Sequence, residues 1–448
     1  MNWIIENLEV FGDKQAVIQK DGMYSFDDLY KATVDFKRML KANRVITGEV
    51  TALLSDYSFN AIALFLALMD NKNVIVPIGI KIKSEIDERV KETLVDKVIS
   101  LSDGKIGVNE TGLKDKKHNF IATLQSNNHA GLVLFSSGSS GKPKAMVHDL
   151  DNLLDIYKNK RPKGLVFLVF LMFDHIGGLN TLFNVLSMGG TIVIPENRDA
   201  DYICGLIEKH KIQILPSSPT FLNLVMISEA YNKYDLSSLI MITYGTEPMP
   251  ESLLKKLKEV FPRVRFLQTF GTSETGISKT SSKSSTSTFF KIDDPNIEYK
   301  IMDGELWLKS KTKILGYLNY SMESFTDDGW FKTGDLVETT EDGYIRIIGR
   351  NNDVINVGGQ KVMPIEVESV ILQMPQIAEC MVYGENNIIT AQNVAVDVVL
   401  KDDVNAVDIK RGIRKFCRDR LDNYKIPVKI NVVAKPQVRG RFKKIRRR

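Results

Sequence analysis

Three cysteines occur in 448 residues, and they stand far apart at positions 204, 380 and 417. An odd, scattered set excludes a disulfide framework and fits a reducing, cytoplasmic setting. The five histidines do not cluster with the cysteines, so no Cys/His metal-ligand spacing is present. Long apolar runs are missing as well. The longest, residues 165–173, is about half a membrane span. It ends at Asp174 and reads as a buried core strand rather than a transmembrane segment or a fatty-acid tunnel. The N-terminus, MNWIIENLEV, lacks a basic stretch followed by a long apolar core, so no signal peptide is expected. No internal repeat is found.

What remains is the composition of a globular protein, 43% hydrophobic and 26% charged, long enough for two or more domains. The formal net charge is only +5, yet the C-terminal RGRFKKIRRR is intensely basic. A solvated tail, a nucleic-acid or membrane contact, and an active-site role are its open readings. Strand-like and helix-like segments alternate. Residues 50–56, 73–79, 164–173, 190–195 and 212–218 read as strands. Residues 60–69 and 250–261 read as helices, the second with Leu253, Leu254, Leu257 and Val260 on one face. The alternation predicts α/β architecture with largely parallel sheets. The Ser/Thr-rich residues 277–290 read as a surface loop. After residue 300, short strands punctuated by glycine (GELWLKS, GYLNY, GWFKTGD, GYIRIIGR) predict a β-rich region. A smaller unit begins near GRNND, residues 349–353. It has helices near 364–373 and 407–421 and strands near 379–383 and 394–401.

The segment LVLFSSGSSGKPKAMVHD, residues 132–149, sets the chemical question. A buried strand, 132–135, runs into small residues that cannot fill a core. Consecutive N–H groups in such a turn form an anion-binding concavity, with serine hydroxyls and two lysines adding donors. It is not a Walker loop, because two residues rather than four separate Gly138 from Gly141 and a proline follows Lys142. A flexible linker is the plain alternative. Four further stretches carry glycine beside charge: TYGTEPMP (243–250), LQTFGTSETG (267–276), WFKTGDL (330–336) and GRNNDVINVGGQKVMPIEVE (349–368).

In this order the motifs resemble the adenylate-forming superfamily: acyl-CoA synthetases, peptide-synthetase adenylation domains and luciferases. The resemblance runs from about residue 130 to the end. It implies a large α/β N-terminal domain, residues 1–350, built of layered subdomains plus a β-rich subdomain. A small mobile α+β C-terminal domain, residues 351–448, would follow. It further implies ATP-dependent activation of a carboxylic acid, fatty or other acyl, to acyl-AMP with pyrophosphate release, then transfer to the thiol of CoA. Loading of a carrier-protein pantetheine is the alternative. A non-catalytic nucleotide-binding scaffold with a nucleic-acid-binding tail is disfavoured by the intact phosphate, Mg²⁺ and ribose positions.

On this resemblance SSGSSGKPK assigns Ser136, Ser137, Gly138, Ser139, Ser140 and Gly141 to the ATP phosphates, with Lys144 as the family's constant lysine. Gly245, Thr246 and Glu247 border adenine and the acyl pocket, and a small Gly245 lets the purine lie against backbone. Thr269, Phe270 and Gly271 continue the adenine site, Phe270 standing where the family stacks an aromatic; a core aromatic is the plain alternative. Ser273 stands where the family touches the α-phosphate. Glu274 matches the Mg²⁺ carboxylate, a role one Glu plus phosphate oxygens can fill. Asp335 and Arg350 match the ribose contacts and Ile347 the apolar wall beside them. His175, in FDHIGGL, matches a group near the carboxylate path, or is structural. Asn352 falls at the family hinge, where Asp or Lys is commoner, and Gly358 and Gly359 would leave room for a pantetheine arm. Lys444, in K-I-x-R, is the expected catalytic lysine of adenylation, with Lys443 in reserve. ATP, Mg²⁺ and CoA follow as cofactors, with no nucleic-acid partner.

Overall fold

The computed structural model describes residues 2–79, 81–102, 105–113, 116–136, 142–401, 406–434, 438–439 and 443–444. The architecture is mixed α/β, with a large N-terminal domain and a small C-terminal one.

Two seven-stranded sheets form the body. One runs in the order Arg265–Gln268, Met241–Tyr244, Ile214–Ser217, Val166–Leu168, Thr191–Val193, Gln15–Gln19 and Gly22–Ser25. It is parallel except for its last pair. The other runs Gly316–Tyr317, Lys144–Asp149, Gly131–Ser136, Val74–Ile78, Val50–Leu54, Lys97–Ser102 and Lys105–Glu110. Here the three central pairings are parallel and the outer ones antiparallel.

Helices Phe59–Asp70 and Ile176–Met188 share one core cluster, where Phe65 and Phe183 meet. The first of these, FNAIALFLALMD, is buried at every position from Ala61 to Met69. That explains why its sequence is apolar all round instead of striped. The Ser58 side chain accepts the Ala61 N–H and starts it.

A six-stranded antiparallel sheet follows, in the order Thr280–Ser282, Phe290–Ile292, Ile345–Arg350, Phe331–Thr339, Glu305–Ser310 and Ile297–Met302. Beyond Arg350 a separate five-stranded sheet packs on helices Pro364–Ile371 and Ala406–Arg418 around its own core of Val367, Ile371, Val396 and Ile413.

Two expectations are corrected here. The apolar run 164–173 is not one strand. Only Val166–Leu168 pairs, because its neighbour Thr191–Val193 is three residues long. The chain then turns so that the Phe173 N–H reaches Asp56 Oδ1 at 3.1 Å and Asp174 pairs with buried Arg89 at 3.1 Å. Residues 277–290 are not simply a loop. They include the end of strand Gly276–Ser278 and all of Thr280–Ser282. There the Thr280 hydroxyl donates to Gln268 O at 2.6 Å and Ser282 Oγ accepts the Gln268 N–H at 2.9 Å. Hydroxyl side chains bonded to neighbouring backbone hold these residues in the fold.

Cys204, Cys380 and Cys417 are buried free thiols. Among the described residues no helix is long and apolar enough to cross a membrane.

Candidate active site

A cleft of about 1280 Å³ opens where the two large sheets and the six-stranded sheet meet. Ser136, Lys144, His175, Gly245, Thr246, Glu247, Thr269, Phe270, Gly271, Ser273, Glu274, Asp335, Ile347, Arg350 and Asn352 all line it. These residues come from separate motifs up to 216 positions apart, between Ser136 and Asn352.

The Ser/Gly segment joins two adjacent antiparallel strands, since Ser136 and Lys144 are cross-strand partners. Ser137, Gly138, Ser139, Ser140 and Gly141 lie outside the described residues. On its far side the connection is clamped by Asn319. Asn319 Nδ2 donates to Pro143 O at 2.9 Å, and Asn319 Oδ1 accepts the Ala145 N–H at 2.9 Å. The Lys144 ammonium sits 4.0 Å from the Tyr320 ring centre and 5.3 Å from that of Tyr317. Such cation–π contacts hold a lysine in one place without neutralising it. The Tyr317 hydroxyl donates to Glu274 Oε1 at 3.1 Å. Burial first, and the Glu274 carboxylate second, hold the Tyr317 hydroxyl well above its ordinary range, so it stays a donor.

Glu274 is carried on a turn fixed by hydroxyls. The Thr275 N–H donates to Thr272 Oγ1 at 3.1 Å, and the Ser310 hydroxyl donates to Thr275 O at 2.9 Å. The Ile314 N–H donates to Glu274 O at 2.8 Å. These bonds fix the backbone and leave the Glu274 side chain in the cleft. Glu274 forms no ion pair among the described residues.

Phe270 belongs to a core and also borders the cleft. It packs on Phe290, with ring centres 5.8 Å apart, inside the core of the six-stranded sheet. Ile347 packs against the same core.

Asp335 and Arg350 face each other across neighbouring strands, and Arg350 Nε donates to Asp335 Oδ1 at 3.0 Å. Asp335 is nearly buried, and its carboxylate, with smaller help from Asp353 and Glu274, raises the guanidinium's pKa. Glu305 braces the same corner, accepting the Gly334 N–H at 2.9 Å and an Asn351 side-chain N–H at 3.0 Å.

Gly245 is also required by the packing of the chain itself. A Cβ there would stand 2.7 Å from Thr269 Oγ1 and 2.8 Å from Thr269 O. The close neighbour is Thr269, whose N–H donates to Tyr244 O at 2.8 Å. Thr246 follows with φ of 72°, strained for a β-branched residue. Glu247 Oε1 accepts the Thr220 N–H at 2.7 Å, near the start of helix Pro219–Ser228, so this carboxylate is engaged. His175 caps helix Ile176–Met188: its Nδ1 accepts the Gly177 N–H at 3.0 Å, which leaves the proton on Nε2.

One sequence assignment, the glycine pair 358–359, is not among the residues lining the cleft. Gly358 and Gly359, with φ of 58° and 87°, form the two-residue turn between strands Ile355–Val357 and Gln360–Val362. With positive φ at both central residues this is a type I′ turn, and that is the local reason for the glycine pair. Lys444 pairs through its backbone with Val438 in a short hairpin. The placement of its side chain, and of that of Lys443, lies outside the described residues.

A family model described as AMP-binding enzyme matches residues 5–318, and another described as AMP-binding enzyme C-terminal domain matches residues 366–440. The chain belongs to the AMP-binding enzyme family, and so to the adenylate-forming superfamily that its motifs resemble. This AMP-binding enzyme is 26% identical over 462 residues to a 2-succinylbenzoate–CoA ligase of Bacillus licheniformis, covering 95% of this chain and 94% of that one. It is 29% identical over 277 residues to a 4-coumarate–CoA ligase-like protein of Arabidopsis thaliana, covering 56% of this chain and 49% of the relative. The crystal structure of an anthranilate CoA ligase in complex with anthranoyl-AMP has the same fold. Its TM-score is 0.83 at 20% identity, over 98% of this chain and 95% of that one.

The AMP-binding enzyme has residues around its cleft that sequence reading passed over. Tyr317, Asn319 and Tyr320 sit in GYLNY, read only as a glycine-punctuated strand. His148, in strand Lys144–Asp149, is fully buried, and burial pulls its imidazole down to about 4 despite the nearby Ser273 backbone. It is therefore neutral at pH 7. Lys160 also lines the cleft.

Proposed function

We propose that this chain is an AMP-forming CoA ligase for an aromatic carboxylic acid. Lys144 and Glu274, both touched by buried Tyr317, standing in one cleft with the Asp335–Arg350 pair is the observation that carries this reading. Support comes from relatives whose names carry succinylbenzoate, coumarate and anthranilate. Those names favour an aromatic acid over a fatty one, and CoA over a carrier-protein thiol as acceptor.

In the first step a carboxylate oxygen attacks the α-phosphorus of ATP and the bond to the bridging oxygen breaks, so pyrophosphate leaves. The carboxylate is already a nucleophile at pH 7, so no general base is required. What the site must supply is position and fixed positive charge. Lys144 and the Ser136 end of the loop would face the leaving phosphates. Ser273 would hold the α-phosphate, and Asp335 with Arg350 the ribose hydroxyls. Glu274 suits Mg²⁺, because its carboxylate lines the cleft with one oxygen on Tyr317 and no ion pair among the described residues. When bound, that ion would neutralise phosphate charge. Lys444 would bridge the carboxylate and α-phosphate.

In the second step the CoA sulfur, its proton given to solvent, attacks the acyl carbon and AMP leaves. The small unit beginning near residue 351 would turn about Asn352 between the steps. The test is a screen of aromatic and aliphatic acids for ATP-dependent pyrophosphate release, with and without CoA. Aromatic acids should release pyrophosphate and give a CoA thioester; release with aliphatic acids alone would refute the reading.

A further inference from the structure

One end of the cleft is built from residues that the adenylation chemistry does not use. Gly177, Thr181, Asn184 and Met188 recur at helical spacing along Ile176–Met188, with Asn180 beside them, so one face of this helix lines the cleft. The other faces carry buried Leu179, Leu182, Phe183 and Leu186. Carboxamides on a helix otherwise given to the core are informative, because polar groups at such places need partners.

The groups are organised around Lys160. The Tyr157 hydroxyl donates to Asn180 Oδ1 at 2.8 Å. Asn184 Nδ2 donates to Asn180 O at 2.7 Å and to Asn180 Oδ1 at 3.1 Å. The Lys160 ammonium donates to Asn184 Oδ1 and lies 4.8 Å from the Tyr157 ring centre. Lys160 is half-buried and forms no ion pair among the described residues. One of its three N–H groups is accounted for there, and the Asn180 side-chain N–H groups have no acceptor there either.

The other charged groups at this end are Lys279 and Asp294. The Asp294 oxygens already accept backbone N–H groups, from Lys279 at 2.8 Å and Asn296 at 2.9 Å. Burial pulls Lys160 down to about 8, a desolvation that an arriving anion would offset. Between this end and His175 lie about 13 Å of helix, walled by Phe167, Ile214 and Leu267. An apolar slot closed by a cation fits a ring that carries charge at its far side.

We propose that Lys160, with Asn180, receives a second carboxylate on the acid substrate, set across an aromatic ring from the carboxylate that reacts. This rests on the CoA-ligase reading and narrows its substrate to an aromatic diacid. Asn184 positions the lysine.

The test measures pyrophosphate release with acids differing by one carboxylate: 4-succinylbenzoate against 4-oxo-4-phenylbutanoate, and 4-carboxycinnamate against cinnamate. In at least one pair the diacid should be favoured in kcat/KM by roughly tenfold or more, the scale of a charge-assisted hydrogen bond. Lys160→Met should remove that preference and leave the monoacid within about threefold. Asn184→Asp is nearly isosteric and gives Lys160 a built-in carboxylate, so it should remove the same preference even if Lys160→Met folds poorly. Equal use of both acids in both pairs would overturn the proposal, as would a preference that survives both substitutions, or one for a hydroxyl acid such as 4-coumarate over the diacids. Calorimetric titration of the same acids separates the two readings. A diacid that binds wild type but not Lys160→Met, with no acid releasing pyrophosphate, supports the second-carboxylate site and refutes the ligase. Monoacid turnover without charge preference does the reverse, and neither binding nor turnover refutes both.

Discussion

The Tyr317 hydroxyl stands 3.1 Å from Glu274 Oε1, while the ring of the same tyrosine lies under the Lys144 ammonium. One side chain thus orients both an anion and a cation of the cleft, and the two can be separated. Tyr317→Phe keeps the ring and loses the hydroxyl. It should raise the Mg²⁺ concentration needed for half-maximal pyrophosphate release and slow the step by about tenfold. Glu274→Gln should cost more, on the order of 10²–10³. Wild-type release by Glu274→Gln across a Mg²⁺ titration would remove Glu274 from the site.

Gly245→Ala places a Cβ within 2.8 Å of the Thr269 backbone carbonyl. The carbonyl cannot swing away as a side chain could, so the wall must shift. We expect a loss of about 1–3 kcal/mol in stability and weaker AMP binding, read by denaturant unfolding and calorimetry. Adding Thr269→Ala should not restore either, because the carbonyl remains.

The tail prediction separates two neighbours. Lys444→Ala should slow acyl-AMP formation by about 10²–10³, while supplied acyl-AMP is still converted to thioester at near the normal rate. Lys443→Ala should be mild. If the alanine at 443 is the damaging one, the register is off by one. Unchanged adenylation in both would move the basic tail out of the active site.

His148 gives a pH signature. Its folded value, about 4, lies below the ordinary imidazole value, so between the two the unfolded chain binds more protons. Its contribution is complete above about pH 6.5 and is lost as pH falls toward 4. The difference is on the order of 3 kcal/mol. Wild type should therefore lose more stability than His148→Gln over that interval, measured as the change in unfolding midpoint. Parallel pH profiles for the two proteins would show that His148 is not buried neutral.

How far the sequence could be read follows from the range of the interactions. Asp335, Arg350 and Glu274 were legible because glycine beside charge is a local pattern, and the structure brings all three to one cleft. Tyr317, Asn319 and Tyr320 were not, because strand Gly316–Tyr317 meets strand Lys144–Asp149 across some 170 residues and nothing local in GYLNY announces a partner. Lys160 and Asn184 share a cleft face through a helix and a loop, a pairing no spacing rule reaches. The run 164–173 misled because an apolar segment marks burial, not strand length. The hydroxyls of 277–290 misled because Ser and Thr suit loops and hydroxyl-bonded strands alike.

Gly316 and Tyr317 form an edge strand whose next residues, through Asn319, hold the Pro143–Ala145 backbone. The match to the larger family model stops at residue 318. A fragment ended there would keep the edge strand and discard its fastener, Asn319, together with Tyr320 beside Lys144. Anyone expressing the large domain alone should therefore carry the chain beyond Tyr320. A shorter fragment would lack the bonds that hold the Pro143–Ala145 backbone, and its silence in a nucleotide-binding assay would report the cut rather than the protein.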